Sequence, residues 1–199
     1  VADSADSALE GTLRTIFLDR DGVLNEKMPE ESYVAKWDDF RILPGVPEAI
    51  ARLNAAGMRV IVVSNQRGIA LGLYTAENVN AIHAGFQQLL NSRGAHVDAF
   101  YFCPHDKQQC DCRKPLPGMF VQAKNDFPDI TAANSAMVGD SLSDIEFGRR
   151  LGMRTVYIEG ISERRKAGGE KAAELADRRF SSFARAADAL LKEGLSEAF

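Results

Sequence analysis

The sequence predicts an α/β fold: a three-layer, Rossmann-like arrangement in which helices cover both faces of a parallel sheet. Three observations lead there. Short apolar runs rich in β-branched and aromatic residues alternate with longer segments of helical periodicity. The runs are apolar at consecutive positions, as strands buried on both faces are. Polar segments follow the ends of the runs, where ligands bind in open parallel sheets.

The elements follow in order. "RTIFL" (14–18) reads as a buried strand, and "VPEAIARLNAAG" (46–57) as a helix with Val46, Ile50 and Leu53 on one face and Gly57 past its end. "RVIVV" (59–63) is the second strand. "TAENVNAIHAGFQQLLNSRG" (75–94) is the longest helix, capped by Thr75, striped by Val79, Ile82, Phe86 and Leu89, and stopped at Gly94. "DAFYF" (98–102) is the third strand, and "PGMFVQAKNDF" (117–127) a helix that opens with proline. "SAMV" (135–138) is the fourth strand. Ser143 with Glu146 resembles a capping box on the next helix, which ends at Gly152. "RTVYI" (154–158) is the fifth strand, and residues 170–192 give one or two more helices.

With 199 residues, 45% hydrophobic and 26% charged, the chain fits one globular domain with a sizeable core. A net charge of −4 gives no electrostatic case for nucleic acid or an anionic membrane, and no apolar run approaches membrane-spanning length. Residues 1–12 are small and acidic, unlike a signal peptide, and read as a mobile tail ahead of a single domain over 13–199. A cytoplasmic monomer is expected. All three cysteines fall within residues 103–112, which points to metal in a reducing compartment rather than to a disulfide framework.

The strand ends carry the chemistry. Asp19, Arg20, Asp21 and Gly22 follow the first strand, and Ser64, Asn65, Gln66 and Arg67 the second. After the third come the Cys/His cluster and Arg113-Lys114-Pro115, and after the fourth Gly139, Asp140, Ser141 and Asp144. A parallel sheet brings all four sets to one edge. Carboxylates from different strand ends suit Mg²⁺, whose charge offsets the repulsion between Asp19 and Asp21 and lets a phosphate approach. Ser64 and Lys114 can then bind phosphate oxygens, one carboxylate can attack phosphorus, and another two residues on can move the proton. His83 and His96 are given no role.

"DRDGV", "VVSN", "RKP" and "VGDSLSD" resemble, in order, the four motifs of the haloacid-dehalogenase-like phosphatases. The resemblance spans roughly residues 14–160. It implies a sheet of that type, with Asp19 as nucleophile and Mg²⁺ ligand, and Asp21 as general acid/base that lends its backbone carbonyl to the metal. Asp140 is then a further ligand, Asp144 supports its loop from behind, and Ser64, Asn65 and Lys114 hold the phosphoryl group.

"CPHDKQQCDC" places Cys103, His105, Cys110 and Cys112 as C-x-H-x4-C-x-C. Three thiolates and an imidazole form a closed tetrahedral set for structural Zn²⁺, which would pin the loop carrying Arg113 and Lys114. This loop resembles the branch of the family containing the heptose 1,7-bisphosphate 7-phosphatases and histidinol-phosphatase, whose members have no large cap domain. "YVAKWDDFRILPGV", "SNQRGIALGLYT" and "CRKPLPGM" resemble the heptose enzymes. That likeness implies a small sugar-phosphate substrate, contacted by Arg113 in a pocket shaped by Gln66 and Arg67. Ser141 and Leu71 stand where those enzymes commonly carry lysine and arginine.

Overall fold

The computed structural model describes residues 12–29, 32–160 and 168–196. The expected mobile tail lies, but for Thr12, outside these residues. Strands β1 (Thr15–Leu18), β2 (Arg59–Asn65), β3 (Ala99–Cys103), β4 (Ser135–Gly139), β5 (Arg154–Ile158) and β6 (Arg178–Phe180) form one sheet in the order β3-β2-β1-β4-β5-β6. Every pairing is parallel. The helices are α1 (Val46–Ala55), α2 (Ala76–Asn91), α3 (Gly118–Asp126), α4 (Leu142–Leu151), α5 (Gly169–Leu175) and α6 (Phe183–Ser196).

Burial on both faces explains the unbroken apolar runs. Ile16, Leu18, Val60, Val62, Ala136 and Val138 face a core shared with α1, α2 and α6. Their neighbours Phe17, Ile61, Val63 and Met137 face a second core with Met119, Phe120 and Ala123 of α3 and Phe147 of α4. The sheet therefore lies between two helical layers, as its periodicity requires.

Three local expectations change. The 170–192 segment holds two helices with β6 between them; its "RRF" is three residues long and largely exposed, too short to signal a strand. The capping box on α4 is Ser141 with Asp144, two residues earlier than read from the sequence, so Ser143 already lies in the helix. The buried stripe of α2 runs through His83 and Leu90, whereas Leu89 is only partly covered. The other stops behave as expected: Thr75 caps α2, and Gly57, Gly94 and Gly152 adopt positive φ.

Strand β1 lies between β2 and β4, the point where the chain order reverses. Leu18 is in register with both Val62 and Val138, so the residues after β1 emerge level with the ends of its two neighbours. Between β1 and α1 the described residues contain a single 3-10 turn at Trp37–Asp39, and residues 104–117 contain no helix or strand. Among the described residues there is no large cap over this edge. None of the described helices is long and apolar enough to cross a membrane.

Candidate active site

At the crest of β1, Asp19 is nearly buried and its backbone N–H donates to Val138 of β4. Lys114 reaches it from the other side of the sheet edge. Three oxygens surround the Lys114 ammonium: Asp19 Oδ1 at 2.8 Å, Asp144 Oδ1 at 2.6 Å and the Val63 carbonyl at 2.7 Å. Burial alone would drive its proton off, but Asp144 and Asp19 outweigh that and raise the pKa. Lys114 is thus a fixed cation that orients Asp19. Its backbone is fixed as well, because the Asn65 side-chain amide donates to the Lys114 carbonyl and accepts from its N–H, at 3.1 and 3.0 Å.

Asp144 is held by its helix-capping position. Its Oδ2 accepts from the Ser141 N–H at 3.0 Å and from the Ser141 hydroxyl at 2.6 Å. Glycine at 139 is what lets Asp144 approach: a Cβ there would lie 2.2 Å from the Asp144 Cβ. Asp140, 8% exposed, pairs with Lys27. Gly22, at φ +100°, passes so close that a Cβ would overlap the Asp140 carboxylate. A cavity of about 390 Å³ opens beside Asp140, bounded by Gly22, Lys27, Leu43, Ile158 and Phe183.

Asp21 points into a different set of partners. Arg20, 1% exposed, lays Nη2 on its Oδ2 at 2.9 Å; Asn25 donates to Oδ1 at 3.0 Å and Gln66 to Oδ2 at 3.2 Å. Burial would push the Asp21 carboxyl pKa up, but Arg20 and these donors together hold it below the usual value. Gln66 also donates to the Ser64 hydroxyl at 2.6 Å and is itself 2% exposed. Arg67 turns onto Asp106 of the cysteine loop, and Arg113 reaches the His105 carbonyl at 3.5 Å. Asn65, Gln66, Arg67 and Arg113 thus make contacts within the protein. Arg20, Asn25, Lys27, Tyr74 and Asp106 join the site without having been singled out. Arg20 alone had a signal, since it lies between the two acids of the motif.

Two groups of side chains bring metal-ligating atoms together. One oxygen each from Asp19, Asp140 and Asp144 lies within 4.8 Å of the others, a hard-oxygen set suited to Mg²⁺. In the loop, Cys103 Sγ lies 3.5 Å from Cys110 Sγ and 3.7 Å from His105 Nδ1, and His105 Nδ1 lies 3.3 Å from Cys112 Sγ. A tetrahedron with zinc–sulfur bonds of about 2.3 Å has edges of roughly 3.7 Å, close to these separations. A disulfide would need about 2.05 Å between sulfurs, so the three thiols are free.

Known proteins resemble this chain in sequence and fold. A sequence model of the haloacid dehalogenase-like hydrolases matches residues 5–152. The D-glycero-alpha-D-manno-heptose-1,7-bisphosphate 7-phosphatase of Mycobacterium tuberculosis is 38% identical over 84% of this chain and 86% of its own. The beta-anomer 7-phosphatase of Yersinia pestis is 36% identical over 80% and 87%. A crystal structure of D,D-heptose 1,7-bisphosphate phosphatase from B. bronchiseptica, complexed with magnesium and phosphate, superimposes with a TM-score of 0.79 at 34% identity, covering 91% of this chain and 99% of that one. With a buried Asp19 at the sheet's reversal point and the acids of β1 and β4 beside it, the chain belongs to the haloacid dehalogenase-like hydrolase family.

Proposed function

We propose that this chain is a Mg²⁺-dependent phosphatase that removes the 7-phosphate of a D-glycero-D-manno-heptose 1,7-bisphosphate. The observation that carries the chemistry is Asp19, buried against Lys114 and grouped with Asp140 and Asp144. The substrate rests on relatives of 36–38% identity named for it.

In this reading one oxygen of Asp19 attacks phosphorus, and the bond from phosphorus to the sugar oxygen breaks. Asp21, ionised in the free site, takes up the proton that the arriving phosphate monoester carries and passes it to the departing oxygen. The Asp21 carboxylate then takes a proton from water as that water attacks the aspartyl phosphate, releasing phosphate and restoring Asp19. Ser64 offers a hydroxyl to a phosphate oxygen. Lys114 contributes positive charge, with its ammonium already committed to three protein oxygens. Asp19, Asp140 and the Asp21 carbonyl would hold Mg²⁺, with Asp144 behind them; the ion, when bound, would neutralise phosphate charge and polarise the phosphoryl group. Zn²⁺ in the Cys103, His105, Cys110 and Cys112 set would fix the loop that carries Lys114.

The test is phosphate release with Mg²⁺ from both anomers of heptose 1,7-bisphosphate and from histidinol phosphate. A heptose preference in kcat/KM of about a hundredfold, roughly 2.7 kcal/mol, is expected. Asp19→Asn should abolish turnover with the fold intact. Equal, slow turnover of all three compounds would sink the substrate reading, and an active Asp19→Asn protein the mechanism.

A further inference from the structure

Burying a guanidinium is costly, yet Arg20 is among the largest fully buried side chains. Its Nε and Nη2 hold Asp21, and Nη2 also lies 3.3 Å from Gln66 Oε1. A second donor, the Tyr74 hydroxyl, reaches the same Oε1 at 2.8 Å. Arg20 can only donate and the Asp21 carboxylate can only accept, so they fix which end of the Gln66 amide is oxygen, and the Tyr74 hydroxyl tethers that oxygen. The other end, Nε2, must then face Asp21 Oδ2 at 3.2 Å and Ser64 Oγ at 2.6 Å. With the amide reversed, NH₂ would face Arg20 and Tyr74, and oxygen would face the Asp21 carboxylate.

Tyr74 is suited to this task. It is 6% exposed, on the turn that leads into α2. Its ring lies so close to Gly68 that a Cβ there would come within 2.1 Å of it. Burial, first of several causes, raises the pKa of its hydroxyl to about 12, so it remains a donor throughout the working range.

We propose that Tyr74 is a positioning residue for Asp21: by tethering the Gln66 oxygen, it holds the Gln66 amide against Asp21 in the carboxyl rotamer that relays a proton to the leaving oxygen. This rests on the reading of Asp21 as the acid/base. It also moves Gln66 from shaping the sugar pocket to alignment of Asp21 and Ser64. Proton delivery matters in proportion to leaving-group basicity. A sugar alkoxide needs the proton, whereas p-nitrophenolate leaves without it.

The experiment compares the full Mg²⁺-loaded protein with its Tyr74→Phe and Asp21→Asn variants in single-turnover release of the leaving group. The substrates are heptose 1,7-bisphosphate and p-nitrophenyl phosphate. Tyr74→Phe keeps the ring on Gly68 and removes only the hydroxyl. The expected result is a fall of about tenfold or more in sugar release, against less than about twofold for p-nitrophenolate. The p-nitrophenolate amplitude counts folded, competent sites, so the sugar rate is read per competent site. Equal losses on both substrates, or no loss on either, would overturn the positioning role. Asp21→Asn separates the two layers of the argument: full-rate sugar release by that variant defeats the acid/base reading itself, whatever Tyr74→Phe does.

Discussion

Lys114 shows how much one residue contributes to this site. Its ammonium is almost wholly buried and lies between two buried carboxylates, Asp19 and Asp144, whose mutual repulsion it offsets. Removing one member of such a set leaves uncompensated charge in a poorly solvated place, a defect that typically costs about 3–5 kcal/mol. Lys114→Met should therefore lower the unfolding free energy by about that amount at pH 7 in urea titrations run without divalent cations. It should also stop turnover, because Asp19 loses the partner that orients it. A stable, inactive variant would mean that Lys114 serves chemistry alone.

At the scale of an element, residues 104–114 form a loop without regular structure whose last residue must be placed within hydrogen-bond distance. The reciprocal Asn65–Lys114 pair does this at one end, with Arg67 on Asp106 further back, and the proposed zinc would clasp the Cys/His group at the other. Cys110→Ser should lower zinc content, melting temperature and activity together, measured by metal analysis, calorimetry and phosphate release. Unchanged melting after zinc loss would show that the Asn65 clasp suffices. The strands and this loop were legible in the sequence because doubly buried strands are apolar throughout, and because ligand spacing is local. The strand-end acids were legible for a related reason: a polar residue directly after a buried run has few places to be except the sheet edge. The directions of side chains were not legible. Gln66 follows the second strand and reads as a pocket residue, but a buried arginine 46 positions away and Tyr74 turn it inward. The same holds for Asn65, whose partner is a backbone reached only through the fold. Strand β6 escaped because three exposed residues carry no periodicity, and the α4 cap because two serines two residues apart both offer a start.

The molecule as a whole buries its sheet between two cores, and one titratable group is enclosed in that packing without a catalytic task. His83 lies on the inner stripe of α2, 5% exposed, stacked on Phe100 with ring centroids 4.5 Å apart. Burial first, and the nearby Arg20 charge second, push its pKa from 6.5 down to about 3. The sign of the consequence is fixed. Below pH 6.5 the unfolded chain takes up a proton at His83 that the folded protein refuses, so stability falls as pH drops from 6.5 towards 3. Each unit within that window costs about 1.4 kcal/mol from this residue. Asp21 acts in another window: its folded pKa lies below 3.8, so its contribution is present above 3.8 and is lost only under more acid conditions. The interval from pH 6.5 to 5.0 thus isolates His83 from Asp21. His83→Phe, which keeps a ring against Phe100 and cannot titrate, should gain about 2 kcal/mol relative to the unsubstituted protein between pH 6.5 and 5.0. Urea titrations at the two pH values, at fixed zinc, measure that difference. Parallel stability curves would mean that His83 binds its proton in the folded state, and that α2 yields enough to let water reach the imidazole.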